Sequence, residues 1–230
     1  MKRASDPVDA MYRQIEVALV VEELHDALDV VSAGVRARHQ VLEGILASDL
    51  GVGAGDDSDV DGWDDASQIE YRKEVLGQTV YRALFITCWS AFEQLMTKLC
   101  SDVKWDLGLS LSERELAGRG VERSMKYLRK AAGIEIDLNE WKWPVVRRYG
   151  RLRNHLVHVG PNADDANDPR SARRDFGALP GVRIEPAGEI VVDESFVRES
   201  IRSVQHLLIG IDKSIQAGLE NGRLVRANPR

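Results

Sequence analysis

The chain has 230 residues, 43% hydrophobic, 30% charged and 6% aromatic, which is enough for one sizeable core or two small ones and excludes collagenous, disordered and membrane-spanning classes. A formal net charge of -6 argues against wholesale coating of nucleic acid and leaves a local basic patch as the route to such a partner. The two cysteines, Cys88 and Cys100, lie in one helical stretch. Twelve residues of continuous helix set them about 18 Å apart, beyond disulfide reach, so they read as buried thiols of a reducing compartment. Residues 1–13 lack the apolar run of a signal peptide and no later segment is apolar enough to span a bilayer, so the expected location is the cytoplasm, without a membrane partner.

In chain order, apolar periodicity predicts a first helix from about Val8 to Leu50, its apolar face carrying Ile15, Leu19, Val30, Val31, Val35, Leu42, Ile45 and Leu46. Gly51 to Asp65, with Asp56, Asp57, Asp59, Asp61, Asp64 and Asp65 and no basic residue, reads as a solvated loop. A second helix follows from about Ser67 to Val103. Val80, Leu84, Cys88, Ala91, Leu95, Leu99 and Val103 form one stripe, and Tyr81, Phe85, Trp89, Phe92 and Met96 an adjacent one. A helix this broadly apolar is central, and aromatics at this spacing point to core packing rather than a stacking platform.

Ser112 and Glu115 form a capping-box pattern that opens a further helical stretch through Val121, Met125 and Leu128, stopped by Gly133. A helix containing Trp141, Val145, Tyr149, Leu152 and Leu156 runs to Val159, with Pro144 in its first turn and Gly160-Pro161 as its end. Pro161 to Pro180 reads as a polar connection. Val182, Ile184, Ile190 and Val192 alternate around Pro186-Ala187-Gly188 as one small β-hairpin. The last helix, about Glu194 to Leu219, places Val197, Ile201, Val204, Leu208, Ile211 and Ile215 in a narrow seam suited to helix pairing, and Asn221-Gly222 stops it.

The segment richest in chemistry is Arg147 to His158. At about 100° per residue, Arg147, Arg151, Asn154 and His158 share one face, opposite Val145, Tyr149, Leu152 and Leu156. Two guanidinium groups, an amide and an imidazole meet the needs of phosphodiester cleavage, which are charge neutralisation on a pentavalent phosphate and proton transfer near neutral pH. The inventory suits RNA, whose 2′-hydroxyl is an internal nucleophile. The same pattern also describes arginines that are solvated or paired with the chain's many acids. His155, His158, Asp164 and Asp165 lack the spacing and cysteine support of a metal site, and no nucleophile elbow, P-loop or dinucleotide fingerprint occurs, so neither metal nor cofactor is expected.

Arg153-Asn154-His155-Leu156-Val157-His158 resembles the Arg-x4-6-His motif of the HEPN superfamily, helical domains found in RNases of toxin–antitoxin and antiphage systems. Phe85 to Leu95 is similar to the central helix of that family, and the order of motif helix, hairpin and last amphipathic helix resembles its stand-alone bacterial members. The resemblance covers about Gln68 to Leu219. It implies an all-α, HEPN-like helical bundle with a small hairpin before the last helix, divided as 1–66 (first helix and acidic loop), 67–220 (the HEPN-like domain) and 221–230 (tail).

It further implies a homodimer whose two motifs face one cleft, metal-independent RNA cleavage leaving a cyclic phosphate, and an antitoxin or defence protein as partner. Arg153 then stabilises the phosphate, His158 transfers the proton and Asn154 positions backbone or base. Arg147 and Arg151, added from the polar face, bind flanking phosphates, and His155 is grouped with them as substrate-binding. The alternative is a catalytically inactive HEPN-like module for dimerisation, protein interaction or RNA binding. Two features depart from the pattern. Arg153 and His158, five residues apart, project about 140° from each other on an ideal helix. Gly160 stands where partner-controlled members of the family carry a tyrosine target of modification.

Overall fold

Six helices and one short hairpin make up the residues that the computed structural model describes, 7–52 and 59–227. They are α1 (Pro7–Val52), α2 (Asp59–Asp106), α3 (Gly120–Lys126), α4 (Trp143–His158), α5 (Pro169–Gly177), β1 (Val182–Ile184), β2 (Ile190–Val192) and α6 (Glu194–Glu220). The fold is mostly helical, with the hairpin before the last helix. No helix among the described residues is long and apolar enough to cross a membrane.

α2 and α6 pack on each other, and both pack on α1 and on α4. Phe85, Trp89, Phe92 and Met96 are all buried, so these side chains of α2 are core, whereas Tyr71 and Trp105 nearer its two ends are exposed. Burial pushes the Cys88 and Cys100 thiols up to about 11 and about 12, as inert structural cysteines require. At the centre, Phe85 meets Phe196 edge-on at 4.8 Å and Tyr149 at 6.3 Å.

Several elements differ from expectation. α1 runs to Val52 and α2 starts at Asp59, so the acidic stretch from Asp59 to Asp65 is helical; Asp56 and Asp57 lie outside the described residues. The boundary expected at residue 66 falls inside α2, and Val21 and Leu28 of α1 belong to the same core as α2 and α6. α1 buries Val21, Leu28, Val35 and Leu42, a seven-residue repeat, and leaves Leu19, Val30 and Ile45 in solvent. The side chains of Ile15 and Leu46 lie outside the described residues.

The Ser112–Glu115 capping box is formed but opens only a single 3-10 turn, Glu113–Glu115. α3 passes into a π-turn, Tyr127–Ala131, and Gly133 ends it with a positive φ of 70°. The connection 161–180 contains a helix, α5, whose N-cap Asp168 accepts from Ser171 N and is followed by Pro169.

α6 is not a narrow seam. Phe196, Val197, Ile201, Leu207, Leu208, Ile211 and Ile215 are buried against α1, α2 and α4, so the pairing face lies within the chain. Asp193 caps this helix by accepting from Phe196 N at 2.9 Å. Asp193→Ala is expected to lower unfolding stability by about 1 kcal/mol, read as a shifted midpoint in denaturant melts, because one orphan N–H loses its acceptor.

The hairpin forms as expected, with Val182 opposite Val192 and Ile184 opposite Ile190. Gln78 Oε1 accepts from Val192 N at 2.8 Å and Arg82 donates to Ile190 O, which anchors the hairpin on α2.

A candidate nucleic-acid groove on the fourth helix

Two contacts and two backbone features orient α4. Trp141, just before the helix, lies over Gly210 of α6, where a β-carbon would overlap the indole. Lys142 then turns the chain with a left-handed φ of 55°, a conformation that L residues adopt at a cost. Pro144 follows in the first turn. Further along, Gly150 crosses α2 against Trp89, and a β-carbon there would stand 2.8 Å from the ring. The missing side chain brings the second half of α4 close to Glu93 of α2.

The inward stripe of α4 is Trp143, Val146, Tyr149, Leu152 and His155. It is shifted from the expected stripe, since Val145 and Leu156 are only half-buried. His155 is therefore buried away from solvent: its Nε2 lies 2.8 Å from the Asn162 carbonyl oxygen and its ring packs on Phe176 at 5.3 Å. That histidine ties the end of α4 to the segment before α5. The physical reason is the phase of the helix, which places residue 155 three positions beyond fully buried Leu152.

The other predicted residues do come together. Arg147, Arg151, Arg153, Asn154 and His158 line one groove of about 410 Å³ between α4, α2 and the start of α3. Arg153 and His158 both border it. Among the described residues no three His, Cys, Asp or Glu side chains gather as a metal site.

Sequence reasoning missed three charged groove residues, Glu93, Arg119 and Glu122. Glu93 approaches Arg153, with its Oε2 3.8 Å from Nη2. On the other side, Arg153 Nη1 donates to Asn154 Oδ1 at 3.0 Å, so amide and carboxylate hold the guanidinium between them. Arg153 Nε is buried with no hydrogen-bond partner. Gly120, with a φ of 50°, makes room for Glu93, whose Oε1 would stand 2.6 Å from a β-carbon at that position. The signal for Glu93 was present in the sequence, since it is the single charged residue between Arg82 and Lys98 in an otherwise apolar and neutral run. Arg119 and Glu122, at the start of α3, carried no comparable signal.

The outer arginines are already paired. Arg147 Nε donates to Glu122 at 2.8 Å, and Arg151 Nη1 lies 3.1 Å from Asp175 of α5. Both guanidinium groups are about half exposed, 51% and 53%, so these pairs are weak and exchangeable. Arg173 and Arg174, in the segment expected to be a loop, pair with Asp164 and Asp175. No protein-family model, curated protein or solved structure matches the chain.

Proposed function

We propose that this groove binds RNA and cleaves it, as a metal-independent endoribonuclease of the HEPN type that uses the 2′-hydroxyl as nucleophile. The observation that carries the reading is the convergence of Arg147, Arg151, Arg153, Asn154 and His158 on one groove of one chain. The 2′-oxygen attacks the adjacent phosphorus, the bond to the 5′-oxygen breaks, and the products are a 2′,3′-cyclic phosphate and a 5′-hydroxyl. Arg153 faces the phosphate and neutralises the charge that builds on its non-bridging oxygens. His158 moves the proton. Asn154 and Glu93 are positioning residues that hold the Arg153 guanidinium from two sides. Arg147 and Arg151 exchange Glu122 and Asp175 for flanking phosphates. The setting implied by the resemblance is a bacterial toxin–antitoxin or antiphage system with a protein partner.

A second reading is an inactive HEPN-like interaction or RNA-binding module, and the pairing of Arg147 and Arg151 with the chain's own acids favours it. Titration of a labelled single-stranded RNA at several salt concentrations tests the binding common to both. Arg147→Ala and Arg151→Ala are each expected to weaken binding and to lower the slope of log affinity against log salt by about 0.7, the value for one phosphate contact on a single strand. An unchanged slope in both variants removes the groove as the RNA site.

A further inference from the structure

The groove has two chemically different sides. α4 supplies Arg147, Arg151 and Arg153, whereas the start of α3 supplies Arg119 and Glu122. Arg119 is the residue before that helix and Glu122 lies in its first turn, so both reach the groove from one place in the chain.

This pair is the less committed part of the groove. Glu93 is held from two sides, by Arg153 at 3.8 Å and by its close fit over Gly120. Glu122, by contrast, is 59% exposed; its Oε1 accepts from Arg147 Nε at 2.8 Å, and its Oε2 accepts no hydrogen bond among the described residues. Arg119 is exposed and makes no ion pair among the described residues. When a phosphate takes Arg147, Glu122 is left with both carboxylate oxygens free, beside an unpaired guanidinium.

A carboxylate only accepts hydrogen bonds, and it accepts two in parallel. Guanine is the RNA base that sets two adjacent donors, N1–H and an N2–H, on its Watson–Crick edge. Adenine and cytosine place an acceptor ring nitrogen beside their one amino group, and uracil flanks its one N–H with two carbonyls. Each of those three therefore turns an acceptor toward the carboxylate. The planar guanidinium of arginine stacks on a base face.

We propose that Arg119 and Glu122 form a base site that takes guanine in single-stranded RNA, Glu122 accepting from N1–H and N2–H and Arg119 stacking on the ring, while α4 follows the phosphates. Phosphate contacts position a strand and base contacts read it. Only an unpaired strand offers this edge, because pairing uses it in a duplex. The inference rests on RNA binding in the groove, common to both readings above, and not on cleavage.

The test measures binding of the full chain to short labelled oligouridines that differ at one central position, which holds guanosine, adenosine, cytidine or uridine. The wild type is expected to bind the guanosine strand about tenfold tighter than the others, within the range of one bidentate base contact. Inosine at that position, which lacks the N2 amino group, is expected to lose most of the gain. Glu122→Gln presents a donor in place of one acceptor and is expected to bind every strand to within about twofold of the others, the uridine strand no more weakly than the wild type does because Arg147 is released. Arg119→Ala is expected to weaken all strands alike, since stacking is indifferent to the base. Equal binding of all strands by the wild type, a guanosine preference that survives Glu122→Gln, or an Arg119→Ala that binds as the wild type does overturns the proposal and leaves the RNA reading standing. A folded wild type that binds none of the strands removes the groove as an RNA site, and this inference falls with it.

Discussion

His158→Ala is expected to lower RNA cleavage by about 10²–10⁴-fold, the usual contribution of a positioned acid or base, while RNA binding stays close to that of the wild type. His158 is exposed at the last turn of α4, so truncating it removes no core contact, and the circular dichroism spectrum is expected to be unchanged. Its expected consequence in cells is parallel: bacteria in which the wild-type chain is induced arrest growth, and those carrying the variant do not. Loss of cleavage with retained fold and retained RNA binding separates a chemical role from a structural one. Equal cleavage by variant and wild type would remove His158 from the mechanism.

Phe196→Ala is expected to have the largest effect on stability, about 3–5 kcal/mol, with a matching fall in the denaturation midpoint. The ring is fully buried at the first turn of α6 and lies edge-on to Phe85 at 4.8 Å and to Tyr149 at 5.7 Å, so it joins α6 to both α2 and α4. Gly181 packs against it as well, and a β-carbon there would stand 2.8 Å from the Phe196 backbone nitrogen. The void left by truncation therefore borders three helices and the start of the hairpin, and these elements cannot all close on it. A loss below about 1 kcal/mol would show that the aromatic junction does not hold the bundle together.

Where one face of an element is apolar, periodicity alone placed it: α2, the hairpin and α6 follow from their spacing. α1 misled because its apolar residues occupy both faces. Leu19, Val30 and Val41 are no less hydrophobic than Val21, Leu28 and Val35, and only packing against α2 and α6 decides which set is buried. α5 was hidden by composition, since its nine residues bury only Ala172 and Phe176, yet the Asp168-Pro169 start signal was there to be read.

The site was legible on its helix and illegible across helices. The polar face of α4 gathered Arg147, Arg151, Asn154 and His158 as spacing predicts, and Arg153 joined them. His155, grouped with the substrate-binding residues, is instead buried beside the Asn162 carbonyl, an acceptor that lies outside its own helix. Glu93, Arg119 and Glu122 reach the groove from α2 and α3, and contacts between elements distant in sequence leave no periodic trace. Gly150 decides how closely α4 approaches α2, and Gly210 how closely Trp141 approaches α6, and neither breaks the helix it sits in.

Incubation of the purified full chain with total RNA in excess EDTA, followed by analysis of the new RNA ends, tests the central claim most directly. The account predicts fragments with 2′,3′-cyclic phosphate and 5′-hydroxyl ends from the wild type, and none from Arg153→Ala or His158→Ala. Intact RNA from a folded wild-type chain, or fragments that both variants still produce, would contradict it.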